Sequence, residues 1–410
     1  MHDLLHIEIC QKADSALLKG EIEGLVYEEI LAEGKVDLDC VYYGEKCKNE
    51  TLKTHVESFL CTYDDAEKHQ IKIEGANIKF YTYRLTQEDV ATETIQTDSE
   101  QLSAASHWIL PAKEFHYLWE NLFYDSEMKE NLLHFVQSTM IFSDKNVNST
   151  IISWNKVILL HGPPGTGKTS LCKAIAQKAA IRLGDRFTHG ELIEINSHSL
   201  FSKWFSESGK LVMQLFNEIK TLLENPNALV CVLIDEIESL AHVRKSCANG
   251  IEPTDSIRVV NALLTQLDHI KRFPNVLILT TSNMTESIDL AFVDRADIKL
   301  LVGHPNVQCI YKIFSTCLKE LMRADIIESQ PIHELSYLKF VGYEETSCTK
   351  ASIKLLELSQ LSQGLSGRTL RRIPFLAHAL HIQNPKCTLT QFLRAIYLTI
   401  EKQKEESENW

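Results

Sequence analysis

Four short apolar runs divide the central part of the chain. Residues 156–161, 191–195, 229–234 and 275–281 each have the length of a strand, and the run Leu-Val-Cys-Val-Leu-Ile at 229–234 contains no charged residue. A run this apolar predicts a strand buried on both faces, as in a parallel sheet. The segments between the runs place apolar residues at helical spacing. The pattern therefore predicts an α/β fold with a parallel sheet and helices on both of its faces.

A different pattern occupies the first hundred residues. Residues 3–10 alternate apolar and polar positions as a strand does, whereas residues 13–32 carry apolar positions at helical spacing. Residues 1–97 therefore predict a small α+β domain. Three further stretches rich in Val, Ile, Phe and Tyr predict its other strands, at residues 37–43, 58–63 and 78–85.

The stretch Thr86–Ser106 is polar and acidic, with few large apolar residues. Clusters of Thr, Ser, Gln and Glu between patterned segments are typical of connecting loops. We therefore predict a linker at residues 98–106, and we expect the α/β part of the chain to begin at residue 107.

Helical patterns return in the C-terminal hundred residues. Gly364-Leu-Ser-Gly-Arg368 predicts a helix start at which Ser366 caps the first turn. Residues 401–410 predict a frayed end. Three other segments predict helices, at residues 307–323, 352–361 and 389–400.

Charge separates the N-terminal region from the rest of the chain. The formal net charge is −13. Residues 1–105 hold 22 Asp and Glu against 10 Lys and Arg, a net of −12, which leaves −1 for the remaining residues. This asymmetry indicates an acidic N-terminal unit, either an interaction surface or a solvated acidic face. It argues against wrapping of DNA, which requires a basic face.

Cysteine usage and hydropathy indicate the cellular environment in which the protein works. The 11 cysteines are scattered, without a C-x-x-C pair, so the sequence predicts neither a zinc motif nor a disulfide framework and fits a reducing environment. The N-terminus lacks the apolar core of a signal peptide. No apolar run approaches the ~20 residues that span a bilayer. We therefore expect an intracellular, soluble protein that does not enter a membrane.

The segment Gly162–Thr169 reads G-x-x-x-x-G-K-T, the Walker A pattern, between a predicted strand and a predicted helix. Its glycines allow backbone N–H groups to point inward at phosphate oxygens, and the helix start favours the same anion. Lys168 reaches the β- and γ-phosphates of a nucleotide, and Thr169 offers a hydroxyl to Mg²⁺. The predicted nucleotide-binding residues are Gly162, Pro163, Pro164, Gly165, Thr166, Gly167, Lys168, Thr169 and Ser170.

Two acids follow the apolar run at 229–234, as in a Walker B motif. Acids at the carboxyl end of such a strand face the crevice where α/β sheets bind ligands. We predict that Asp235 serves Mg²⁺ and that Glu236 is the general base for the attacking water. The amide of Asn283, at the end of the next strand, is placed to contact both the γ-phosphate and this water.

Further candidates lie outside the nucleotide motifs. The adjacent aromatic residues Trp204 and Phe205 stand among polar residues and a glycine, which favours a loop that grips a partner over core packing. Arg295, between two aspartates, is either paired within the chain or offered to the γ-phosphate of a neighbouring subunit. Arg368 at a helix start opposes the helix dipole, so a bound anion would explain it; a solvated charge is the alternative.

These motifs follow one another in the order found in AAA+ ATPases, which residues 107–402 resemble. The segments 202–210, 288–298 and 364–379 resemble more narrowly the pachytene checkpoint protein 2 family. The resemblance implies an AAA+ P-loop domain at residues 107–305 and a small helical lid at residues 306–410.

The resemblance also implies roles for individual residues. Lys168 and Thr169 would bind ATP and Mg²⁺, and Trp204 and Phe205 would form a pore loop that pulls on substrate. In ring ATPases the segment holding Leu122 and Phe123 commonly packs on the adenine, although plain core packing is as compatible with the sequence. The remaining implied roles are Mg²⁺ and hydrolysis for Asp235 and Glu236, sensor 1 for Asn283, sensor 2 for Arg368 and the arginine finger for Arg295.

The family comprises hexameric ATPases that remodel HORMA-domain proteins in meiosis and in the spindle checkpoint. The resemblance implies a homo-hexamer, HORMA-domain substrates, and an N-terminal domain that recognises them with a HORMA-fold adaptor. It implies no direct contact with nucleic acid, and locations in nucleus and cytoplasm, on chromosomes and kinetochores. Two positions depart from the wider AAA+ pattern: Ser206 replaces a common glycine, and Arg295 stands alone where many relatives carry two arginines.

Two other classes of function remain open from the sequence. A clamp loader or helicase would use the same nucleotide motifs on nucleic acid, but the acidic N-terminal region disfavours it. A nucleotide-gated scaffold would bind partners without unfolding them, and the complete set of hydrolytic residues disfavours that reading.

Overall fold

The computed structural model of the chain describes residues 4–63, 68–88, 90–96, 101–124, 127–195, 208–238, 255–283 and 290–408. The chain divides into two compact units. The first contains Met1–Glu120, Glu130–Leu160 and Thr169–Lys299, and the second contains Asn121–Lys129, His161–Lys168 and Leu300–Trp410. Among the described residues, no helix combines the length and the apolar character needed to cross a bilayer.

A four-stranded sheet forms the N-terminal part of the first unit. Its core contains Leu5, Ile7 and Ile9 of one strand and the apolar face of the following helix. The central strand pairs antiparallel with one neighbour and parallel with the other. The elements are β1 (Leu4–Gln11), α1 (Lys19–Glu33), β2 (Lys35–Asp37), β3 (Val41–Tyr43), α2 (Glu50–His55), β4 (Val56–Tyr63), β5 (Gln70–Lys72) and β6 (Asn77–Arg84), with strand order β3-β4-β1-β6 and a separate β2-β5 pair.

The single strand predicted at residues 37–43 is wrong. The structure has two short strands there, β2 and β3, which belong to different sheets. The chain turns between them at Asp39, whose φ of 57° lies in the left-handed region. Aspartate tolerates this conformation better than most residues, and a composition rich in Val and Tyr does not reveal it.

A seven-stranded sheet forms the centre of the first unit. Strands β10, β11 and β12 run parallel to one another, as the apolar runs predict. All seven residues of β11 and of β12 are buried. The strands are β7 (Ala91–Gln96), β8 (Gln101–Leu110), β9 (Val157–His161), β10 (His189–Ile195), β11 (Ala228–Ile234), β12 (Val276–Ser282) and β13 (Ile298–Leu301), in the order β13-β9-β12-β11-β10-β8-β7.

The predicted linker at residues 98–106 is contradicted by strand β8. Residues 101–107 pair antiparallel with β7 on one side, and residues 105–110 pair with β10 on the other. The α/β sheet therefore begins at β7 rather than at residue 107. Antiparallel strands can carry Thr, Ser and Gln, so a polar composition does not distinguish them from a loop.

Amphipathic helices cover the central sheet. Val212 and Phe216 of one helix and Val260 and Leu263 of another are buried in the same cluster as the sheet residues. The described helices between β8 and β13 are α3 (Met128–Asp144), α4 (Lys168–Arg182, which begins inside the Walker A segment), α5 (Ser208–Leu223), α6 (Asp255–Ile270) and α7 (Leu290–Val293).

The second unit has a helical core of its own. Ser366 caps α11 as predicted, because its side chain accepts a hydrogen bond from the Thr369 N–H at 3.2 Å. The prediction of a frayed segment at residues 401–410 is wrong, since α12 continues to Glu408. The helices are α8 (Val307–Arg323), α9 (Leu335–Phe340), α10 (Lys350–Leu361), α11 (Gly367–His381) and α12 (Leu389–Glu408).

A buried ionic cluster joins the N-terminal sheet to the helix that follows the Walker A segment. Glu8 of β1 accepts hydrogen bonds from Lys178 at 2.5 Å and from Arg182 at 2.7 Å, both on α4. Lys178 also donates to Glu120 at 2.8 Å. The side chains of Glu8 and Lys178 are each 3% exposed. Burial by itself raises the pKa of Glu8, but the charges of Lys178 and Arg182 lower it to about 2.

Replacement of Glu8 by glutamine should destabilise the first unit by about 3 kcal/mol, because two cations then keep a buried position without their shared anion. We expect calorimetry to show a transition roughly 5–10 °C lower than in the wild-type chain. Since the folded-state pKa of Glu8 is depressed, its contribution is present above pH 4.5 and is lost as the pH falls towards 2. The difference between the two proteins should shrink over that interval.

The matched control for this change is Glu50→Gln. Glu50 pairs with Lys53 at 2.5 Å, but its side chain is 84% exposed, so its loss should shift the transition by much less. Equal transitions for the Glu8→Gln and Glu50→Gln variants would contradict a stabilising role for the cluster.

Candidate active site

The Walker A segment has the backbone that its glycines predict. Gly162, Gly165 and Gly167 have φ values of 142°, 75° and 92°. A Cβ atom at Gly162 would lie 2.4 Å from the carbonyl oxygen of Val302, and one at Gly167 would lie 2.7 Å from the hydroxyl of Tyr124. These positions therefore exclude any side chain, and the loop keeps the curvature that directs N–H groups towards an anion.

The side chain of Lys168 folds back onto the Walker A segment. Its ammonium group donates to the carbonyl oxygens of Gly162 at 2.9 Å and Pro163 at 2.8 Å, and the residue is 5% exposed. Thr166 also donates to the Pro163 carbonyl, at 3.0 Å. The carbonyl oxygens of Gly162 and Pro163 are neutral acceptors, whereas a phosphate oxygen would offer a charge-assisted hydrogen bond.

The start of helix α11 contacts the Walker A segment within the second unit. The backbone N–H of Arg368 donates to the carbonyl of Gly165 at 3.0 Å. A Cβ at Gly165 would lie 2.9 Å from the hydroxyl of Ser366. Arg368 therefore lies beside the predicted phosphate loop with an exposed side chain. Its assignment as sensor 2 stays a prediction, and this geometry is compatible with it.

The segment that holds the predicted adenine contacts also borders the loop. Tyr124 donates through its hydroxyl to the carbonyl of Gly167 at 3.1 Å. Phe123 packs against the helical core of the second unit, as the core-packing alternative expects. The contribution of Leu122 and Phe123 to adenine binding stays a prediction.

In the first unit, the predicted Mg²⁺ residues lie together. The hydroxyl of Thr169 donates to Oδ1 of Asp235 at 2.8 Å, and the hydroxyl of Thr281 donates to the same oxygen. A carboxylate beside a hydroxyl at the end of a parallel strand fits the oxygen ligands that Mg²⁺ prefers. Thr281 was missed by the sequence reasoning, although it stands two positions before the singled-out Asn283.

The predicted base and the predicted sensor 1 are in direct contact. The side-chain amide of Asn283 donates to Oε1 of Glu236 at 3.1 Å, and the N–H of Glu236 donates to the Thr281 hydroxyl at 3.1 Å. Glu236 has a φ of 55°, which is uncommon outside glycine. Strained backbone of this kind costs on the order of 1–3 kcal/mol and concentrates at functional sites. The strained turn directs the carboxylate of Glu236 towards Asn283.

Glu238 is a second acid that sequence reasoning missed. It is 9% exposed, and its Oε1 accepts a hydrogen bond from the N–H of Asn283 at 3.0 Å. Its other carboxylate oxygen is buried without a hydrogen-bond partner among the described residues. Glu238 therefore helps to position Asn283, and the third acid in Asp-Glu-Ile-Glu was the available sequence signal.

Arg295 is paired within the chain. Its guanidinium donates to both carboxylate oxygens of Asp268 on α6, at 3.1 and 2.8 Å, and to the carbonyl of Ala291 at 2.7 Å. Hydrogen bonding by Arg295 lowers the pKa of Asp268. The structure thus has the intramolecular pair that the sequence left open, with a partner 27 residues away rather than an adjacent aspartate. The finger role stays a prediction.

The remaining predicted site residues divide into two sets. Pro164 and Ser170 lie on the Walker A segment and in the first turn of α4, respectively. Trp204 and Phe205, predicted to form the pore loop, lie outside the described residues.

Two protein-family models match consecutive parts of the chain. The model of the ATPase family associated with various cellular activities (AAA) matches residues 158–304. The model described as TRIP13-like, AAA+ ATPase lid C-terminal domain matches residues 306–404. The first match contains the residues from the Walker A segment to Arg295, and the second contains Arg368.

Curated proteins are similar to the chain over nearly its whole length. The pachytene checkpoint protein 2 homolog of Mus musculus is 50% identical over 406 residues, which are 98% of this chain and 94% of the relative. The homolog of Homo sapiens is 48% identical over 406 residues, with the same two shares. The similarity therefore includes the N-terminal sheet that neither family model matches.

Solved structures share the architecture. The structure of C. elegans PCH-2 matches with a TM-score of 0.78 and 33% identity, and covers 98% of this chain and 99% of that chain. A chain in the E. coli MS115-1 HORMA:CdnC:Trip13 complex matches with a TM-score of 0.52 and 19% identity, over 71% of this chain and 94% of that one. At that identity the second match shows a common fold.

Proposed function

We propose that this chain, which belongs to the pachytene checkpoint protein 2 family of AAA+ ATPases, uses ATP hydrolysis to change the conformation of HORMA-domain proteins. It is an ATPase. The observation that carries the hydrolytic part is the contact between Glu236 and Asn283, next to the Thr169–Asp235 pair. The HORMA part is supported by family membership and by the complex with HORMA that a structural neighbour forms.

Nucleotide binding follows from the Walker A geometry. The inward N–H groups of the glycine loop and the positive end of α4 bind the phosphates. Lys168 exchanges its two carbonyl acceptors for phosphate oxygens. Thr169 and Asp235 are the residues that would hold Mg²⁺. When bound, Mg²⁺ neutralises negative charge on the phosphate oxygens.

Hydrolysis requires a water molecule positioned for in-line attack. Glu236 accepts a proton from this water, and Asn283 holds the carboxylate through the 3.1 Å hydrogen bond. Glu238 holds the backbone of Asn283 by accepting a hydrogen bond from its N–H group. Glu236 and Asn283, which follow the ends of two adjacent strands, thereby orient one water, and Glu238 supports Asn283.

Work on a protein substrate requires subunits arranged in a ring. We infer a homo-hexamer, as the family implies, in which Trp204 and Phe205 grip an extended segment of substrate. A closed ring also brings Arg295 of one subunit towards the nucleotide of the next. The acidic N-terminal sheet recognises the HORMA-domain substrate together with a HORMA-fold adaptor. The same inference gives roles in meiotic chromosome organisation and spindle checkpoint signalling, in nucleus and cytoplasm, without direct binding of nucleic acid.

The test of this function is whether the chain and ATP change the conformation of a HORMA-domain protein from the same organism. The change is measured as a shift in the elution of that protein on a chromatography column. Replacement of Trp204 by alanine should lower the number of conversions per ATP hydrolysed by about tenfold or more, because loss of an aromatic anchor costs at least about 2 kcal/mol of binding. The Trp204→Phe variant keeps an aromatic ring and should retain most of the coupling. Full coupling in the alanine variant would remove Trp204 from the substrate grip, and stimulation of the wild-type ATPase by DNA alone would favour a nucleic-acid substrate.

A further inference from the structure

Three donor atoms of different chemistry converge at the edge of the N-terminal sheet. They are Sγ of Cys10 on β1, a carboxylate oxygen of Glu57 on β4, and a ring nitrogen of His116, and all lie within 4.8 Å of one another. The Cys10 sulfur is 3.7 Å from Oε2 of Glu57, and Nε2 of His116 is 3.8 Å from Oε1 of the same carboxylate. Each carboxylate oxygen therefore faces one of the other two donors.

His116 supplies an unsatisfied nitrogen to this cluster. Its Nε2 is buried and has no hydrogen-bond partner among the described residues. The 3.8 Å separation from Glu57 is too long for a hydrogen bond. A neutral imidazole can present a ring nitrogen with a lone pair to a metal ion. A buried polar nitrogen without a partner disfavours the folded state unless something else binds there.

The local backbone directs two of these side chains. The β1–β4 ladder changes register between Cys10 and Gln11, as in a bulge. Bulges redirect the side chains next to them. Tyr117, directly after His116, has a φ of 57°, which is unusual for a bulky residue. The register change thus lies next to Cys10, and the positive φ of Tyr117 lies next to His116.

We propose that Cys10, Glu57 and His116 form a binding site for a divalent ion of the Zn²⁺ class. Thiolate, imidazole and carboxylate together are ligands of Zn²⁺ and its neighbours rather than of Mg²⁺ or Ca²⁺. Tetrahedral Zn²⁺ places such donors about 3.3–3.6 Å apart, so the observed separations close by small side-chain rotations. The Glu57 side chain is 48% exposed, which opens a path for the ion and for a water as fourth ligand.

Binding exchanges a proton for the ion. The Cys10 thiol donates its hydrogen to Oε2 of Glu57 at 3.7 Å, so the sulfur carries a proton before the ion arrives. The sulfur–metal bond forms as the sulfur–hydrogen bond breaks, and the proton passes to solvent. The bound ion connects β1 and β4 to the segment that follows β8. It therefore fixes the N-terminal sheet to the chain that leads into the ATPase.

Cobalt reports this site directly, because a cobalt–thiolate bond gives a near-ultraviolet charge-transfer band that oxygen and nitrogen ligands do not. The full chain is first treated with a chelator and then titrated with Co²⁺. Excess Mg²⁺ is present to compete with Co²⁺ for the residues Thr169 and Asp235. We expect one Co²⁺ per chain with this band, and displacement by Zn²⁺. The Cys10→Ser variant should lose the band. A chain with Cys40, Cys247 and Cys348 replaced by serine, which keeps Cys10, should retain it.

If Cys10→Ser does not fold, a second variant tests whether these three residues bind the ion. Glu57 is half exposed, so Glu57→Gln leaves the core intact, and it should weaken Co²⁺ affinity by at least about tenfold. A wild-type chain without a saturable band, a band that survives in Cys10→Ser, or unchanged affinity in Glu57→Gln would each overturn the site.

Discussion

We expect the Glu236→Gln variant to bind ATP as the wild-type chain does but to hydrolyse it about 10²- to 10⁴-fold more slowly, the usual contribution of a general base. Glutamine keeps the size of the side chain and its contact with the amide of Asn283, which lies 3.1 Å from Oε1 in the native chain. It does not accept a proton from water. The defect should therefore fall on the hydrolysis step rather than on nucleotide affinity.

The measurement is single-turnover hydrolysis with a fluorescent ATP analogue to follow binding. Glu224→Gln is the matched control, because Glu224 is exposed after α5 and the chemical change is the same. Its hydrolysis should equal that of the wild-type chain. Hydrolysis by Glu236→Gln at a rate near that of the wild-type chain would show that Glu236 is not the general base. Loss of nucleotide binding would show instead that Glu236 contributes to ATP binding rather than to the hydrolysis step.

The same variant tests the choice of substrate. A chain that binds ATP but does not hydrolyse it should hold its protein substrate, so a pull-down from a lysate with Glu236→Gln should enrich a HORMA-domain protein over the wild-type bait. Enrichment of nucleic acid in place of a HORMA-domain protein would favour the clamp-loader or helicase class.

Features encoded in contiguous sequence were predicted from the sequence. The residues of β11 are apolar without interruption, and the two acids that follow them lie where the strand ends. The positive φ values of Gly162, Gly165 and Gly167 follow from the Walker A pattern, because only glycine adopts them freely. In each case neighbouring residues carry the whole signal.

Pairings between distant residues were not predictable in this way. Glu8 and Lys178 are 170 positions apart, so nothing near either residue indicates that they meet in the interior. Asp268, the partner of Arg295, lies on a different helix, and the adjacent aspartates were the only candidates that sequence proximity offered. Strand β8 shows the same limit, because its membership in the sheet depends on pairing with β10 rather than on its own composition.

The intramolecular pair of Arg295 leads to the second prediction. If Arg295 acts on the nucleotide of a neighbouring subunit, Arg295→Ala should lower kcat on the order of 10³-fold, as loss of an arginine finger does. Asp268→Asn removes the bidentate partner but leaves the guanidinium, and its kcat should stay near that of the wild-type chain. A purely structural pair would make the two variants equally defective.

Mixed rings separate action between subunits from action within one. Neither Arg295→Ala nor Glu236→Gln should hydrolyse ATP alone. In rings formed from equal amounts of both, about a quarter of the seams combine an intact Glu236 with an intact Arg295 from the adjacent subunit. These seams should restore about that fraction of wild-type activity, once light scattering shows that each variant assembles. If the mixed rings are only as active as the two variants measured separately, Arg295 does not act on the nucleotide of a neighbouring subunit. Its role would then be the structural pair with Asp268 in its own subunit.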